Sequence, residues 1–358
     1  MSIQKLTTAI AVISLLFFAC NKATQSTPQG EDFTTTEQTV LTDFTNNIAL
    51  SSYLTLSIKA TALNTALENL NANTTDANLE TARQAWKDMR TVWEQSESFL
   101  FGPVEDNDYD PNMDTWPTDY VQMDSLLASN NPLTVSDIQN LTLSLRGYHP
   151  IEYIIFGDHG SRTAAELTAR QKLYMLSLSA DLTGTCNDLY LSWSSAPINF
   201  AQEVITAGYG SSKYAKRQEV YMAMLEALIG ICDEVGGGKM AEPFAAKDPQ
   251  LVESPYSGNS TTDFKNNIIG IKNVYLGLNG GAGLSALVAI KNKSLDNKIQ
   301  SEITAAINSF DNIPGYYEEA ILATDGRVKI QQTMDALETL KATLEDELEP
   351  FIVQYIVD

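Results

Sequence analysis

Apolar residues recur at helical spacing along almost the whole chain, and this pattern limits the fold more than any other feature. Apolar side chains lie three or four positions apart at Leu79, Ala82, Trp86, Met89 and Trp93, which predicts a helix that Asp76 can cap. The same spacing predicts helices over residues 36–70, 134–156, 164–193, 213–235, 263–276, 284–290, 297–310 and 334–355. No segment alternates between polar and apolar residues over enough positions to predict a strand.

The helical segments are separated by stretches rich in polar residues, glycine and proline. These stretches are residues 102–117, 157–162, 208–212 and 236–262. Long helices joined in this way are typical of helical bundles. From residue 34 onward the chain has about 320 residues, which usually exceeds what one hydrophobic core can hold. We therefore predict an all-α fold of two helical-bundle domains, at 34–200 and 201–358.

The N-terminus has the features of an export signal. One lysine, Lys5, precedes the apolar run 6–18, and Ala19 then comes directly before Cys20. A small residue before a cysteine predicts a lipoprotein signal peptide at 1–20, with Cys20 as the lipidated residue; plain secretion is the alternative. The polar stretch 21–33 predicts a flexible tether. We expect a cell-envelope protein, attached to the membrane through Cys20, on the periplasmic face or the outer surface.

The net charge limits the partners that we expect, and the cysteine content limits the disulfides. The net charge is −22, and binding to nucleic acid needs clustered lysine and arginine, so nucleic acid is not an expected partner. Two cysteines, Cys186 and Cys232, follow the signal segment. Export permits a disulfide between them, whereas their apolar, helical surroundings favour two buried free thiols.

The chain has only two histidines, His149 and His159, and both lie in one short segment. Glu152 follows His149 by three positions, so the two side chains project from one helix face. An imidazole and a carboxylate on one face can form part of a metal site in a helical bundle. The alternative is an ordinary surface or core histidine. For His159 we predict a turn position without a defined role.

Acidic residues are concentrated in two further places. Glu94 and Glu97 lie in the helical segment TARQAWKDMRTVWEQSESFLFG, residues 81–102, and flank its apolar stripe; Arg90 lies one turn before Glu94, where it can pair with it. Asp114 and Asp119 lie in the following loop. Carboxylates beside a core face need partners or a cation. The alternatives are a solvated helix face with a salt bridge and, for the loop, simple turn chemistry.

Two apparent motifs do not meet the requirements of their chemistry. Residues 106–114, DNDYDPNMD, place aspartates as a calcium loop does, but Pro111 stands where that loop needs glycine. The GGGK sequence at 236–239 lacks the full spacing of a phosphate-binding loop, and no predicted strand precedes it.

Four sequence blocks together resemble the imelysin family. GYHPIE, residues 147–152, fits the GxHxxE signature of that family. The other blocks are WEQSESFLFGP at 93–103, DTWPTDY at 114–120 and SPYSGNSTTDFKNNIIGIKNVYLG at 254–277, in the family's order. The resemblance implies an all-helical fold of two bundles with the GxHxxE site in the cleft between them. The family includes envelope iron-uptake proteins, iron-regulated proteins and an insulin-cleaving peptidase.

The resemblance to the iron-uptake members also implies a cation site. Carried onto this chain, its residues are Glu94, Glu97, Asp114, His149 and Glu152. Asp114 shares its loop with three other aspartates, Asp106, Asp108 and Asp110. That loop is longer here than in those relatives.

The residue types favour binding over peptide hydrolysis. Helical zinc peptidases use two histidines one turn apart, whereas the position four after His149 is Tyr153. One imidazole among carboxylates suits iron or another hard cation. We predict a non-catalytic protein that binds iron, or an iron-linked ligand, for uptake, with an envelope transporter as a further candidate partner. A metallopeptidase is the alternative, followed by binding of heme, peptide or anionic polymer in the same cleft.

The block at 254–277 offers polar side chains that can face this site. These are Ser257, Asn259, Asp263 and Asn267. The equal alternative is that they cap the helix that begins near residue 263. Trp116 and Tyr256 are predicted either to line the cleft or to pack in the core, and Arg90 is a further cleft candidate.

Overall fold

The structure, a computed structural model, describes residues 33–358, and every regular element in that range is helical. The all-α prediction is confirmed. The predicted signal peptide 1–20, its lipidation site Cys20 and the predicted tether 21–33 lie outside the described residues, except for Phe33, with which the first helix begins. Between residues 33 and 358 no helix is long and apolar enough to span a bilayer.

The first half of the chain is built around three long helices, α2, α3 and α9. The α-helices are α1 Phe33–Asp43, α2 Leu50–Ala72, α3 Asp76–Ser96, α4 Pro103–Asp106, α5 Tyr109–Asp114, α6 Tyr120–Ala128, α7 Val135–Gln139, α8 Tyr148–Phe156 and α9 Ala169–Ser194. A π-helical stretch, Phe44–Ala49, joins α1 to α2, and 3-10 turns occupy Glu97–Phe99, Leu143–Leu145 and Ala164–Glu166. Helix α2 packs against both α3 and α9.

The second half adds four longer helices and several short ones. They are α10 Phe200–Ile205, α11 Arg217–Asp233, α12 Ala241–Ala246, α13 Ser260–Leu276, α14 Leu284–Lys291, α15 Lys293–Phe310, α16 Tyr317–Ala320, α17 Thr324–Thr343 and α18 Glu349–Tyr355. Glu234–Lys239 and Leu344–Leu348 are π-helical, and Pro249–Leu251 is a 3-10 turn. Helix α13 packs on α15 and also on α3 of the first half.

The contact between α3 and α13 positions the polar residues described below. At Gly270 of α13, an added Cβ would lie 2.3 Å from the carbonyl oxygen of Gln95 on α3. The absence of a side chain therefore allows the two helices to approach closely. The division into domains at 34–200 and 201–358 stays a prediction, since helices of the two segments pack directly on each other.

The single helix predicted over 134–156 is wrong. The segment forms α7, a 3-10 turn and α8, and Gly147 before α8 has a φ of 75°, a conformation that a helix cannot contain. Thr134 does cap α7, in a capping box with Asp137. The cap of α3 is Thr75 and not Asp76, because the Thr75 side chain accepts from Asn78 N.

The predicted loop regions contain more structure than expected, and the cysteines are free. Helices α4 and α5 lie within 102–117, while the π-helical stretch, α12 and a 3-10 turn occupy much of 236–262. Cys186 and Cys232 are both buried free thiols, so of the two alternatives the free thiols are correct.

Candidate functional site

Arg90 on α3 is the centre of a buried charge cluster. Its side chain is fully buried, and its guanidinium contacts Glu94 on the next turn and Asp114 at the end of α5. The same group lies 3.1 Å from Glu253 Oε1 and 3.8 Å from Asp263 Oδ2. The predicted pairing of Arg90 with Glu94 is present, but in the core and not on a solvated face.

Lys239 is a second buried cation in the same cluster. It ends the π-helical stretch Glu234–Lys239, and 2% of its surface is exposed. Its Nζ lies 3.0 Å from Glu97 Oε2, 3.1 Å from Glu253 Oε1 and 3.8 Å from Glu94 Oε2. On the outer side it lies 3.3 Å from Glu234 Oε1.

His149 lies between two carboxylates. Its Nε2 is 3.0 Å from Asp114 Oδ1 and its Nδ1 is 3.2 Å from Glu152 Oε2. The other oxygen of Glu152 accepts from the backbone N–H and the hydroxyl of Ser257, at 2.8 and 2.7 Å. Trp93 Nε1 donates to Asp114 Oδ2 over 2.6 Å. Glu152 thus holds the ring of His149 and is itself held by the second half of the chain.

Residues of the 254–277 block form the facing wall, as one of the two alternatives predicted. Asn267 Nδ2 donates to Glu94 Oε2 at 2.8 Å and also contacts Glu97. Asp263 accepts from Asn259 Nδ2 at 2.6 Å and from Ser254 Oγ at 2.7 Å. Asn259 precedes α13 but makes no side-chain capping bond.

The two aromatic candidates have different positions. Trp116 lies at the cluster, with its ring centroid 5.4 Å from Lys239 Nζ. Tyr256 packs into a group of tyrosines, 4.9 Å from Tyr153 and 5.4 Å from Tyr120 between ring centroids. Trp116 therefore lines the site, whereas Tyr256 packs beside it.

Carboxyl groups outnumber cationic side chains in this cluster. Two permanently cationic side chains, Arg90 and Lys239, and one imidazole face six buried carboxylates. These are Glu94, Glu97, Asp114, Glu152, Glu253 and Asp263. Burial without full compensation is unfavourable for carboxylates.

The pKa values of the buried carboxyl groups are shifted in opposite directions. Burial raises the pKa of Glu94, Glu97 and Asp263. Burial also acts to raise the pKa of Asp114, but the contact with Arg90 and then that with His149 hold it below its usual range. The protein's own cations therefore keep Asp114 ionised.

The histidine is positively charged in these surroundings. Burial alone would lower the pKa of His149, but the contacts with Asp114 and Glu152 raise it to about 9. His149 is therefore an imidazolium at neutral pH. It must lose a proton before Nε2 can bind a metal ion.

Two sets of side chains are arranged closely enough to bind a metal ion. Ligand atoms of Glu94, Glu97 and Asp114 lie within 4.8 Å of one another, as do those of Asp114, His149 and Glu253. Asp114 belongs to both sets. Glu253 Oε2 is buried and accepts no hydrogen bond within the described chain.

The loop aspartates are distinguished by burial. Asp106 lies at the surface, 2.7 Å from Lys213 Nζ. Asp110 is half-buried, and burial together with the nearby Asp114 raises its pKa to about 7. Only Asp114 of this loop contacts Arg90 among the described ion pairs.

Sequence reasoning missed Lys239 and Glu253. Both lie in the stretch 236–262, where no periodicity marks a buried side chain. GGGK was considered only as a phosphate-binding motif, and Glu253 directly precedes the 254–277 block. The signals available in the sequence were a lysine after three glycines and an acid directly before the family block.

His159 was predicted to lack a defined role, and the structure corrects this. Its Nε2 lies 2.5 Å from Glu318 Oε1, and its ring stacks on Tyr316 with centroids 4.2 Å apart. His159 thus links the turn after α8 to the second half of the chain. It takes no part in the charge cluster.

Comparison with known proteins shows what the whole chain resembles. The family model described as Imelysin matches residues 49–344. The chain is 27% identical over 352 residues to Iron-regulated protein A of Synechococcus elongatus, covering 96% of this chain and 92% of that protein.

Solved structures have the same fold. A candidate iron-regulated protein A precursor from Parabacteroides distasonis is 25% identical and superposes with a TM-score of 0.81, covering 93% of this chain and 97% of that one. An imelysin-like protein from Psychrobacter arcticum, 14% identical, gives a TM-score of 0.73 over 89% of this chain and 96% of that one.

Proposed function

Since the chain belongs to the imelysin family, we propose that its buried charge cluster binds iron or another hard cation. The observation that carries the proposal is the excess of six buried carboxylates over Arg90, Lys239 and one imidazole. The protein's own cations can compensate only part of these carboxylates, and a cation of charge two or three would compensate the rest. The names of two relatives, both iron-regulated proteins, favour iron.

The donor set fits such an ion. Carboxylate oxygens with one imidazole nitrogen are ligands for iron and manganese more than for a structural zinc. Asp114 would be the common ligand, with Glu94 and Glu97 on one side and His149 and Glu253 on the other. Glu152 would orient the imidazole, as outer carboxylates do for metal-bound histidines.

The setting of this function is also a proposal. Lipidation at Cys20 would hold the protein in the cell envelope, where the cation would be collected for uptake. An envelope transporter is the partner that such a protein would supply.

Calorimetric titration of the full chain, purified in detergent, with Fe²⁺ under anaerobic conditions tests the binding. We expect saturable binding to the wild type and a loss in affinity of about 100-fold or more in His149→Ala/Glu152→Ala, which removes one ligand and its orienting carboxylate. The variant Asp108→Asn removes an exposed carboxylate from the neighbouring loop and should bind as the wild type does.

Equal uptake by the wild type and the histidine–glutamate double variant would refute the assignment of the site. Absence of uptake by the wild type would refute the function itself. Thermal unfolding of each variant should accompany the titration, so that loss of binding is separated from loss of fold.

A further inference from the structure

Lys239 occupies an unusual position for a lysine. Its ammonium group is buried among four carboxylates, and the distances to Glu97, Glu253 and Glu234 all lie between 3.0 and 3.3 Å. Glu94 and Glu253 are on the inner side, whereas the side chain of Glu234 is 42% exposed. Lys239 thus lies between the buried cluster and the outside.

A cavity of about 500 Å³ adjoins two of the carboxylates that contact Lys239. It extends between α11 and the loop that follows α3, and both Glu97 and Glu234 line it. Its other acidic lining residues are Glu105, Asp106 and Glu226. The one lysine or arginine that lines it within the described chain is Lys213, which pairs with Asp106.

An acidic cavity of this kind attracts cations, because clefts lined by one sign of charge concentrate ions of the other sign. Glu97 connects it with the cluster, since its carboxylate lines the cavity and also belongs to one of the two sets of ligand atoms. On the inner side, the buried and unpartnered Glu253 Oε2 is available to a ligand.

The backbone that carries Lys239 has few side chains to fix it. Gly236, Gly237 and Gly238 precede the lysine in the π-helical stretch. A Cβ added at Gly238 would meet no atom within 4 Å. Single π-helical turns are frequent at functional sites, and lysine has a flexible four-carbon stem. The glycines and the flexible stem therefore leave the ammonium group few side-chain obstacles on the local backbone.

We propose that Lys239 is a resident counter-ion whose ammonium group takes the place of the cation, and that a cation arriving through the acidic cavity displaces it toward Glu234. This inference rests on the proposed function and adds to it the route of the ion and a basis for selection. The incoming ion and the ammonium group need the same oxygens of Glu94, Glu97 and Glu253. Two cations cannot share them without strong repulsion.

The same competition selects by charge. A monovalent ion gains no more from these carboxylates than the ammonium group already does, so Na⁺ and K⁺ should not displace it. An ion of charge two or three gains more from each carboxylate contact. Lys239 would therefore keep the site free of the common monovalent ions.

The test compares Fe²⁺ affinity, measured anaerobically by calorimetry, in the full-length wild type, Lys239→Met and Lys213→Met. Methionine keeps most of the length of lysine without its charge. We expect Lys239→Met to bind about tenfold more tightly or better, because no ion pair must be broken, a change that corresponds to 1.4 kcal/mol or more. Lys213→Met removes a charge from the same cavity without touching the cluster and should change the affinity by less than about threefold.

Equal or weaker binding by Lys239→Met, or equal tightening in both variants, would overturn the displacement. A second measurement needs no variant: acetylation of lysines in the wild type, read by mass spectrometry. Lys239 should be unreactive in metal-free protein and become several-fold more reactive with Fe²⁺, while Lys213 stays unchanged. Unchanged reactivity of Lys239 in protein shown to bind Fe²⁺ would contradict the proposal.

The outcomes separate the two proposals. Wild-type binding with no effect at Lys239 leaves the proposed function standing and removes only the displacement. Absence of Fe²⁺ binding in the wild type and in Lys239→Met removes both.

Discussion

The protonated state of His149 and its proposed role as a metal ligand exclude each other at any moment. As an imidazolium between Asp114 and Glu152 it contributes positive charge to a cluster that lacks it. As a neutral ring it would offer Nε2 to a metal ion. Binding of an ion at Nε2 would therefore release the proton that stabilises the metal-free protein.

The stability of metal-free protein should depend on pH through this residue. The pKa of His149 is about 9 in the folded protein, above the ordinary value of about 6.5. Its stabilising contribution is therefore fully present below pH 6.5 and is lost as pH rises through 9. The difference in unfolding free energy between the wild type and His149→Gln should shrink by up to about 3 kcal/mol across that interval.

Urea unfolding at a series of pH values from 6 to 9.5, in the presence of a chelator, measures this difference. A gap between the two proteins that stays constant over the whole series would contradict a charged His149.

Individual site residues differed in how far the sequence could indicate them. Glu94 lies on a strongly periodic helix and Glu97 in the 3-10 turn directly after it, and His149 and Asp114 lie in family blocks. Lys239 lies in an irregular stretch, so its burial depends on contacts with residues more than 140 positions away. Those contacts are tertiary, and no local pattern reports them.

At the scale of elements, Gly147 determines where α8 begins. It has a φ of 75°, and an added Cβ would lie 1.9 Å from the carbonyl oxygen of Met113. Met113 directly precedes Asp114. The glycine of the GxHxxE motif therefore lets the start of α8 approach the end of α5, and this approach brings His149 to Asp114.

Gly147→Ala should disturb both stability and binding. The positive φ and the clash with backbone both oppose a side chain, so we expect a loss of about 2 kcal/mol or more in unfolding free energy. Fe²⁺ affinity should fall as well, because the two proposed ligands, His149 and Asp114, move apart. Denaturant unfolding and calorimetry measure the two effects.

Gly184 provides the control. It lies inside α9, and an added Cβ there would meet nothing within 4 Å. Gly184→Ala should be neutral or stabilising by up to about 1 kcal/mol, since alanine favours helix. Equal effects of the two substitutions would refute the role assigned to Gly147.

The break before α8 shows the limit of periodicity as a predictor of elements. Apolar residues at Leu141, Leu145 and Ile154 keep helical spacing across 134–156, although the chain turns twice between them. The spacing reports which side chains are buried, and burial in a 3-10 turn satisfies it equally well. The packing of Gly147 on Met113, which decides the break, is a contact between distant segments.

At the scale of the whole molecule, each half of the chain supplies a cationic side chain that pairs with a carboxylate of the other half. Arg90 of the first half pairs with Glu253 of the second, and Lys239 of the second pairs with Glu97 of the first. Away from the site, the hydroxyl of Tyr221 donates to the backbone oxygen of Glu37 over 2.7 Å. Removal of one partner of such a pair leaves the other charge buried and uncompensated, at a cost of about 3–5 kcal/mol.

We therefore expect residues 33–358 to unfold in one cooperative transition, although chains of this length often unfold in steps. The four tryptophans, at positions 86, 93, 116 and 193, all lie in the first half. Tryptophan fluorescence thus follows the first half alone, whereas far-ultraviolet circular dichroism follows the helices of both.

The two transitions should coincide. Glu253→Gln, a change in the second half, should lower both midpoints equally, because it removes a charged partner of Arg90 and Lys239. Glu347→Gln, at a surface pair with Lys298, should leave both within experimental error, since exposed pairs contribute about 0–1 kcal/mol. If Glu253→Gln left the midpoint of the fluorescence transition unchanged, the halves would fold independently.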